Sequence, residues 1–212
     1  MGSCCGNSCA VDALHERQRG TLVKVLWINA IMFVAIAAAA FFGNSTALLS
    51  DSLDNLGDAL TYGLSLFAVT RGPATKARVA LFKGGLIFIA ACLVVMQIIY
   101  RLASPVLPSY EIMTIFSLAG LAANGACLFL LWRHRHEDIN MSSVFECSRN
   151  DIAANLSVIL AAVGVWVFSS GLPDIIIASL LAAFLLNSSA RVIKGALSEL
   201  ADANKSFNRS AR

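Results

Sequence analysis

Apolar residues occur along the chain in six blocks, which are separated by short polar breaks. A helix rises 1.5 Å per residue, so roughly 20 apolar residues cross a hydrocarbon core of about 30 Å. The blocks cover residues 23–42, 47–70, 80–100, 111–132, 142–169 and 174–194. This pattern predicts an all-α integral membrane protein with six transmembrane helices.

The second block differs from the others because it carries three aspartates in "LLSDSLDNLGDAL", residues 48–60. Asp51, Asp54 and Asp58 are three and then four residues apart, which places them on one face of a helix. A charged face is costly in lipid, so we expect this helix inside the bundle. Asp51 is predicted to cap the outer start of the helix, at the edge of any site formed by the other two.

Basic residues indicate the orientation of the chain. They precede the first block, fill the second and fourth breaks and follow the sixth block, whereas Arg101 is the only one near the other breaks. The positive-inside rule then predicts that both termini are cytoplasmic. We expect a cytoplasmic Cys-containing segment at 1–21, a six-helix transmembrane domain at 22–195 and a short cytoplasmic tail at 196–212.

Composition agrees with a membrane protein and gives no reason to expect a nucleic-acid partner. The chain of 212 residues is 58% hydrophobic and 14% charged, against about 25% charged residues in soluble proteins. Its net charge of +3 follows from the basic cytoplasmic segments.

The fifth block contains a second group of polar residues in "VFECSRNDIAANLSV", residues 144–158. Cys147 and Asp151 are four residues apart and share a helix face. Asp54 and Asp58 would lie roughly 10–17 Å below the outer surface, and Asp151 roughly 13 Å from the inner one. These four side chains are therefore candidate ligands for a divalent ion near the midplane. Mixed oxygen and sulfur donors favour zinc or a softer metal.

Structural readings of the same residues stay open at this point. Membrane aspartates also bond to Asn, Ser or Arg, and Arg149 lies two residues from Asp151. Cys147 could be a small buried hydrophobic residue. In that case the three aspartates Asp54, Asp58 and Asp151 would bind metal together with water.

The order of these motifs resembles that of the cation diffusion facilitator family of divalent-metal transporters. "GNSTALLSDSLDNLGDAL" is similar to the second helix of the family, with Asp54 and Asp58 on its [HD]-x-x-x-D motif. "RLASP" is similar to the end of the third helix. "HEDINMSSVFECSRNDIAANLSVILAAVGV" is similar to the loop and fifth helix, where H-x-x-x-D would place a histidine at Cys147.

The resemblance implies a transporter that is not an enzyme, surrounded by membrane lipid and assembled as a homodimer. Many family members carry a further cytoplasmic metal-binding domain, which we do not expect here, so membrane helices would hold the dimer. We expect the bacterial cytoplasmic (inner) membrane as its location.

The family's exchange of cytoplasmic metal for protons is chemically compatible with these residues. Carboxylates and a thiolate in an empty, poorly solvated site favour their protonated forms, and a divalent cation displaces the protons. No cofactor is expected: Zn²⁺ or Cd²⁺ is the substrate and H⁺ the counter-ion. The alternative is a membrane sensor that binds metal without transporting it. An intramembrane hydrolase is disfavoured because all three histidines lie in polar segments.

Two polar segments hold possible auxiliary metal ligands, and Asp51 is a third candidate. "CCGNSC" supplies Cys4, Cys5 and Cys9, which either collect soft metal or belong to a tail without function. "RHRHED" supplies His134 and His136, in a loop whose simpler role is to fix the topology.

Overall fold

A computed structural model describes residues 5–68, 73–132 and 139–210, with side chains chiefly from 19–66, 77–132 and 148–201. This part of the chain forms six helices, and each covers all or nearly all of one predicted apolar block. The helices are α1 (Cys5–Phe42), α2 (Thr46–Ala68), α3 (Pro73–Ala103), α4 (Tyr110–Trp132), α5 (Ile139–Phe168) and α6 (Leu172–Ser210). Helices α1 and α6 extend well beyond their apolar blocks, into the two polar terminal segments.

Five of the six helices in the described ranges are long and apolar enough to cross a membrane. Their spans are Arg19–Phe42, Ala80–Ala103, Tyr110–Trp132, Ser148–Phe168 and Leu172–Ser198. Helix α2 matches α4 in length, at 23 residues each, but it carries the three aspartates. The chain is therefore a multi-pass membrane protein, while the sixth span and the cytoplasmic position of both termini stay predictions.

Helix α2 occupies the interior of the bundle. It packs against α1, α3, α5 and α6, and none of its described side chains is exposed. The prediction that its charged face excludes it from the lipid surface is confirmed. The outer surface of the other helices is apolar instead, with exposed side chains such as Val34, Phe129 and Leu160. These side chains can meet hydrocarbon without desolvating a polar group.

Small residues permit close contact between α3 and α6, the two helices that pack along most of their length. A Cβ atom on Gly84 would lie 2.7 Å from Cγ1 of Ile193, so only glycine fits there. The buried Ser189 hydroxyl donates to the Gly84 carbonyl at 2.9 Å. This pair forms one side of the bundle, next to α2.

Candidate metal site

Asp58 of α2 and Asp151 of α5 form the centre of the candidate site. Their side chains are hydrogen-bonded to each other, and the two residues are only 8% and 7% exposed. The Tyr62 hydroxyl, one turn further along α2, donates to Oδ2 of Asp58 at 3.0 Å. A carboxylate oxygen only accepts hydrogen bonds, so two carboxyl groups in this position can bond to each other only when one of them holds a proton.

Asp54 lines a cavity whose wall does not include Asp58. It is half-buried and faces this cavity of about 230 Å³ between α2, α5 and α6. Polar side chains of α5 and apolar side chains of α6 complete the wall. The lining residues are Asn150, Ala153, Ala154, Ser157, Leu180, Leu181 and Phe184. The cavity therefore provides space for a solvated ion next to the Asp54 carboxylate.

Asp51 belongs to the same electrostatic cluster. It is 1% exposed, and it acts electrostatically on both Asp54 and Asp151. Its Oδ2 atom has no hydrogen-bond partner among the described residues. Four carboxyl groups therefore share one buried region, in which a divalent cation would relieve their mutual repulsion.

The prediction that Asp51 caps α2 is wrong. Helix α2 begins at Thr46, so Asp51 lies in its second turn, beyond the first four N–H groups, which lack helical acceptors. Ser45 caps the helix instead, because its hydroxyl accepts the Leu48 N–H at 3.1 Å. Asp174 of α6 accepts the Thr46 and Ala47 N–H groups at 2.8 and 3.1 Å.

Asp174 is a functional candidate that sequence reasoning missed. It is 1% exposed and also accepts the Ser45 hydroxyl at 2.6 Å, so one carboxylate from α6 receives three hydrogen bonds at the start of α2. In the sequence, an aspartate after "GLP" indicates only the start of its own helix. Its role at a second helix depends on tertiary packing.

Arg101, the one basic residue near the breaks that otherwise have none, lies beside this carboxylate. It interacts electrostatically with Asp174, and its Nη2 donates to Oδ1 of Asn44 at 3.0 Å. Asn44 adopts a left-handed backbone conformation with φ of 52°, in the short turn between α1 and α2. A buried carboxylate thus explains why one arginine occurs at this end of the bundle.

The remaining predicted ligands lie outside the residues whose side chains the structure describes. Cys147 belongs to α5, one turn before Asp151, but the structure describes only its backbone and not its thiol. Cys5 and Cys9 lie in the first turns of α1, again without described side chains, and Cys4, His134 and His136 fall outside the described ranges altogether. Arg149 is exposed whereas Asp151 is buried.

Within the described ranges, no three His, Cys, Asp or Glu side chains are close enough to hold one metal ion. The Asp58–Asp151 pair can supply two oxygen donors, so an ion between them needs further donors from Cys147, from a movement of Asp54, or from another type of side chain.

Comparison with known proteins assigns the whole bundle to one family. The sequence profile of the cation efflux transmembrane domain matches residues 22–201. This range covers the five apolar spans, apart from the first three residues of the span in α1. No curated protein sequence matches the chain at a significant level. A match over this range, together with paired aspartates on α2 and α5, means that the chain belongs to the cation efflux (cation diffusion facilitator) family of membrane metal-cation transporters.

Proposed function

We propose that the protein exports zinc or cadmium from the cytoplasm in exchange for protons, and that Asp54, Asp58, Cys147 and Asp151 bind the ion in transit. The observation that carries the proposal is the hydrogen bond between Asp58 and Asp151, buried between two helices of a membrane transport domain. A divalent cation between these carboxyl groups must displace the proton that they share. Metal binding and proton release are then one event.

The cavity beside Asp54 supports transport rather than sensing. A static sensor needs only a binding site, whereas a transporter also needs a route by which a hydrated ion reaches it. About 230 Å³ is large enough for several water molecules next to the carboxylate. The cytoplasmic position of both termini, the bacterial inner membrane and a homodimer through membrane helices stay predictions that accompany this proposal.

Zinc and cadmium flux into proteoliposomes tests the proposed function. A pH-sensitive dye inside the vesicles and an imposed proton gradient report proton movement at the same time. We expect metal movement in one direction coupled to proton movement in the other. Metal binding without flux would contradict the transporter and support the sensor.

Cys147 is expected to set the metal preference. Sulfur favours zinc, cadmium and mercury, whereas manganese and magnesium prefer oxygen ligands. Replacement of Cys147 by histidine should keep zinc transport and weaken cadmium or mercury transport by about tenfold, a typical effect of altered metal coordination. Competition between the metals in the flux assay measures the change.

Cys92→Ala is the control for loss of a membrane thiol, because Cys92 is a half-buried free thiol on α3, outside the predicted ligand set. Its metal preference should equal that of the unmodified protein. An unchanged preference in Cys147→His would show that the Cys147 thiol is not a ligand.

A further inference from the structure

Helix α4 presents a buried face that includes polar residues the proposed site does not use. The buried positions follow a three- and four-residue spacing: Met113, Ser117, Gly120, Asn124, Cys127 and Leu131. Asn124 is 1% exposed, and neither its Oδ1 nor its Nδ2 atom has a hydrogen-bond partner among the described residues. A buried amide without partners costs about 1–3 kcal/mol, so its presence in the membrane core calls for a role.

One close contact sets the register between α4 and α5. Gly120 lies directly against Asn155, since a Cβ atom on the glycine would overlap Oδ1 of that side chain. The apolar cluster beyond this contact contains Met113 of α4 and higher-numbered residues of α5, from Val158 to Val165. Residue numbers therefore fall along α5 as they rise along α4, so the two helices are antiparallel.

This register places Asn124 opposite Asp151. Position 124 is four residues from Gly120 towards the inner end of α4, and position 151 is four residues from Asn155 in the same direction along α5. Each step is about 6 Å, so the two residues lie at the same level. Cys127, the next buried residue of α4, interacts electrostatically with Asp151, as this register requires.

The two opposed side chains have complementary unused groups. Oδ2 of Asp151 has no donor among the described residues, while Nδ2 of Asn124 is a donor without an acceptor. Within that part of the chain no third His, Cys, Asp or Glu completes the Asp58–Asp151 pair. An amide on a third helix, at the level of Asp151, is therefore a suitable group that the predicted ligand set leaves out.

We propose that Asn124 is a positioning residue of the cation site: its Nδ2 donates to Oδ2 of Asp151 when the cation binds and so holds that carboxylate in its binding orientation. The proposal rests on the proposed function. Carboxylates that ligate metal are commonly held by a further hydrogen bond, and loss of that bond costs about 10–100-fold in metal affinity. Helix α4 then becomes part of the site together with α2 and α5.

Asn124→Ala tests this role in the full-length protein. We measure the zinc Kd in detergent by competition with a fluorescent chelator, and the KM and kcat of zinc flux in proteoliposomes. The expected result is a rise of about 10-fold or more in Kd and KM with kcat changed less than about threefold, because the lost hydrogen bond acts on binding. A purely structural loss would lower the amount of active protein, and so kcat, without moving KM.

Ser189→Ala is the matched control, since Ser189 is also a fully buried polar residue, but its hydroxyl donates to the Gly84 carbonyl at 2.9 Å in the contact between α3 and α6. Zinc Kd within about twofold of the unmodified protein for Asn124→Ala, or equal weakening in Ser189→Ala, overturns the proposal. If Asn124→Ala does not fold, as judged by its thermal unfolding, Asn124→Leu takes its place, with Ser189→Ala as the control and the same criteria. Absence of zinc binding and flux in the unmodified protein would instead count against the proposed function.

Discussion

Replacing Asp58 or Asp151 by alanine is expected to abolish zinc transport, with flux falling to the level of protein-free liposomes. Each change removes one of the two carboxyl groups that meet between α2 and α5. The remaining carboxyl group can neither enclose a divalent ion nor exchange a proton shared between two carboxyl groups for that ion. The assay is zinc flux into proteoliposomes, with the amount of reconstituted protein measured in parallel.

Asp58→Asn tests the same prediction more specifically, because it removes the carboxylate charge and keeps the size and hydrogen bonds of the side chain. An asparagine oxygen still accepts the Tyr62 hydroxyl and its Nδ2 can donate to Asp151, so the fold should be kept. Transport should nevertheless be lost, because the amide supplies no exchangeable proton and is a weaker ligand.

Glu111→Gln is the control for the loss of a carboxylate. Glu111 is exposed at the start of α4 and accepts a hydrogen bond from Ser109 there, far along the helix from the site. Its flux should equal that of the unmodified protein. Undiminished zinc flux from either Asp58→Ala or Asp151→Ala would contradict the assignment of the site.

Asp174→Ala is expected to cause the largest loss of stability, about 3–5 kcal/mol, as for removal of one partner from a buried charged contact. The change leaves the Thr46 and Ala47 N–H groups and the Ser45 hydroxyl without their acceptor, all in a buried region. It also removes the carboxylate beside Arg101. The midpoint of thermal unfolding in detergent measures the effect.

The unfolding midpoint of Asp174→Asn should lie between those of the unmodified protein and Asp174→Ala. Its oxygen can still accept from Ser45 and Ala47, while its amide replaces the oxygen that accepts the Thr46 N–H. Glu111→Ala serves as the control on the same side of the bundle and should change stability by less than about 0.5 kcal/mol. Equal midpoints for Asp174→Ala and Glu111→Ala would show that Asp174 does not hold α2 to α6.

The sequence allowed the membrane helices and the family to be predicted because both depend on local properties. Apolar length is a property of each block, and the six blocks correspond to the six helices of the described chain. Three aspartates at helical spacing excluded α2 from lipid, and the structure places it in the interior. The motifs on α2 and α5 that suggested the family lie within the matched domain.

The site could be predicted only in part, because contacts between helices depend on rotation and register. Asp54 and Asp58 share a face by sequence spacing, yet Asp58 meets Asp151 whereas Asp54 faces the cavity. The cap of α2 could not be assigned, because its main acceptor, Asp174, is more than a hundred residues away in the chain.

The sequence by itself determined that this protein is a helical membrane protein of the cation efflux family with acidic residues inside the bundle. Hydrophobic length and helical periodicity are local, so each can be read from one segment at a time. Only the tertiary structure decided that Asp58 meets Asp151, that Asp174 accepts N–H groups at the start of α2 and that Gly120 of α4 packs against Asn155 of α5. Those pairings follow from how side chains of different helices interlock, and this depends on all the packed surfaces together.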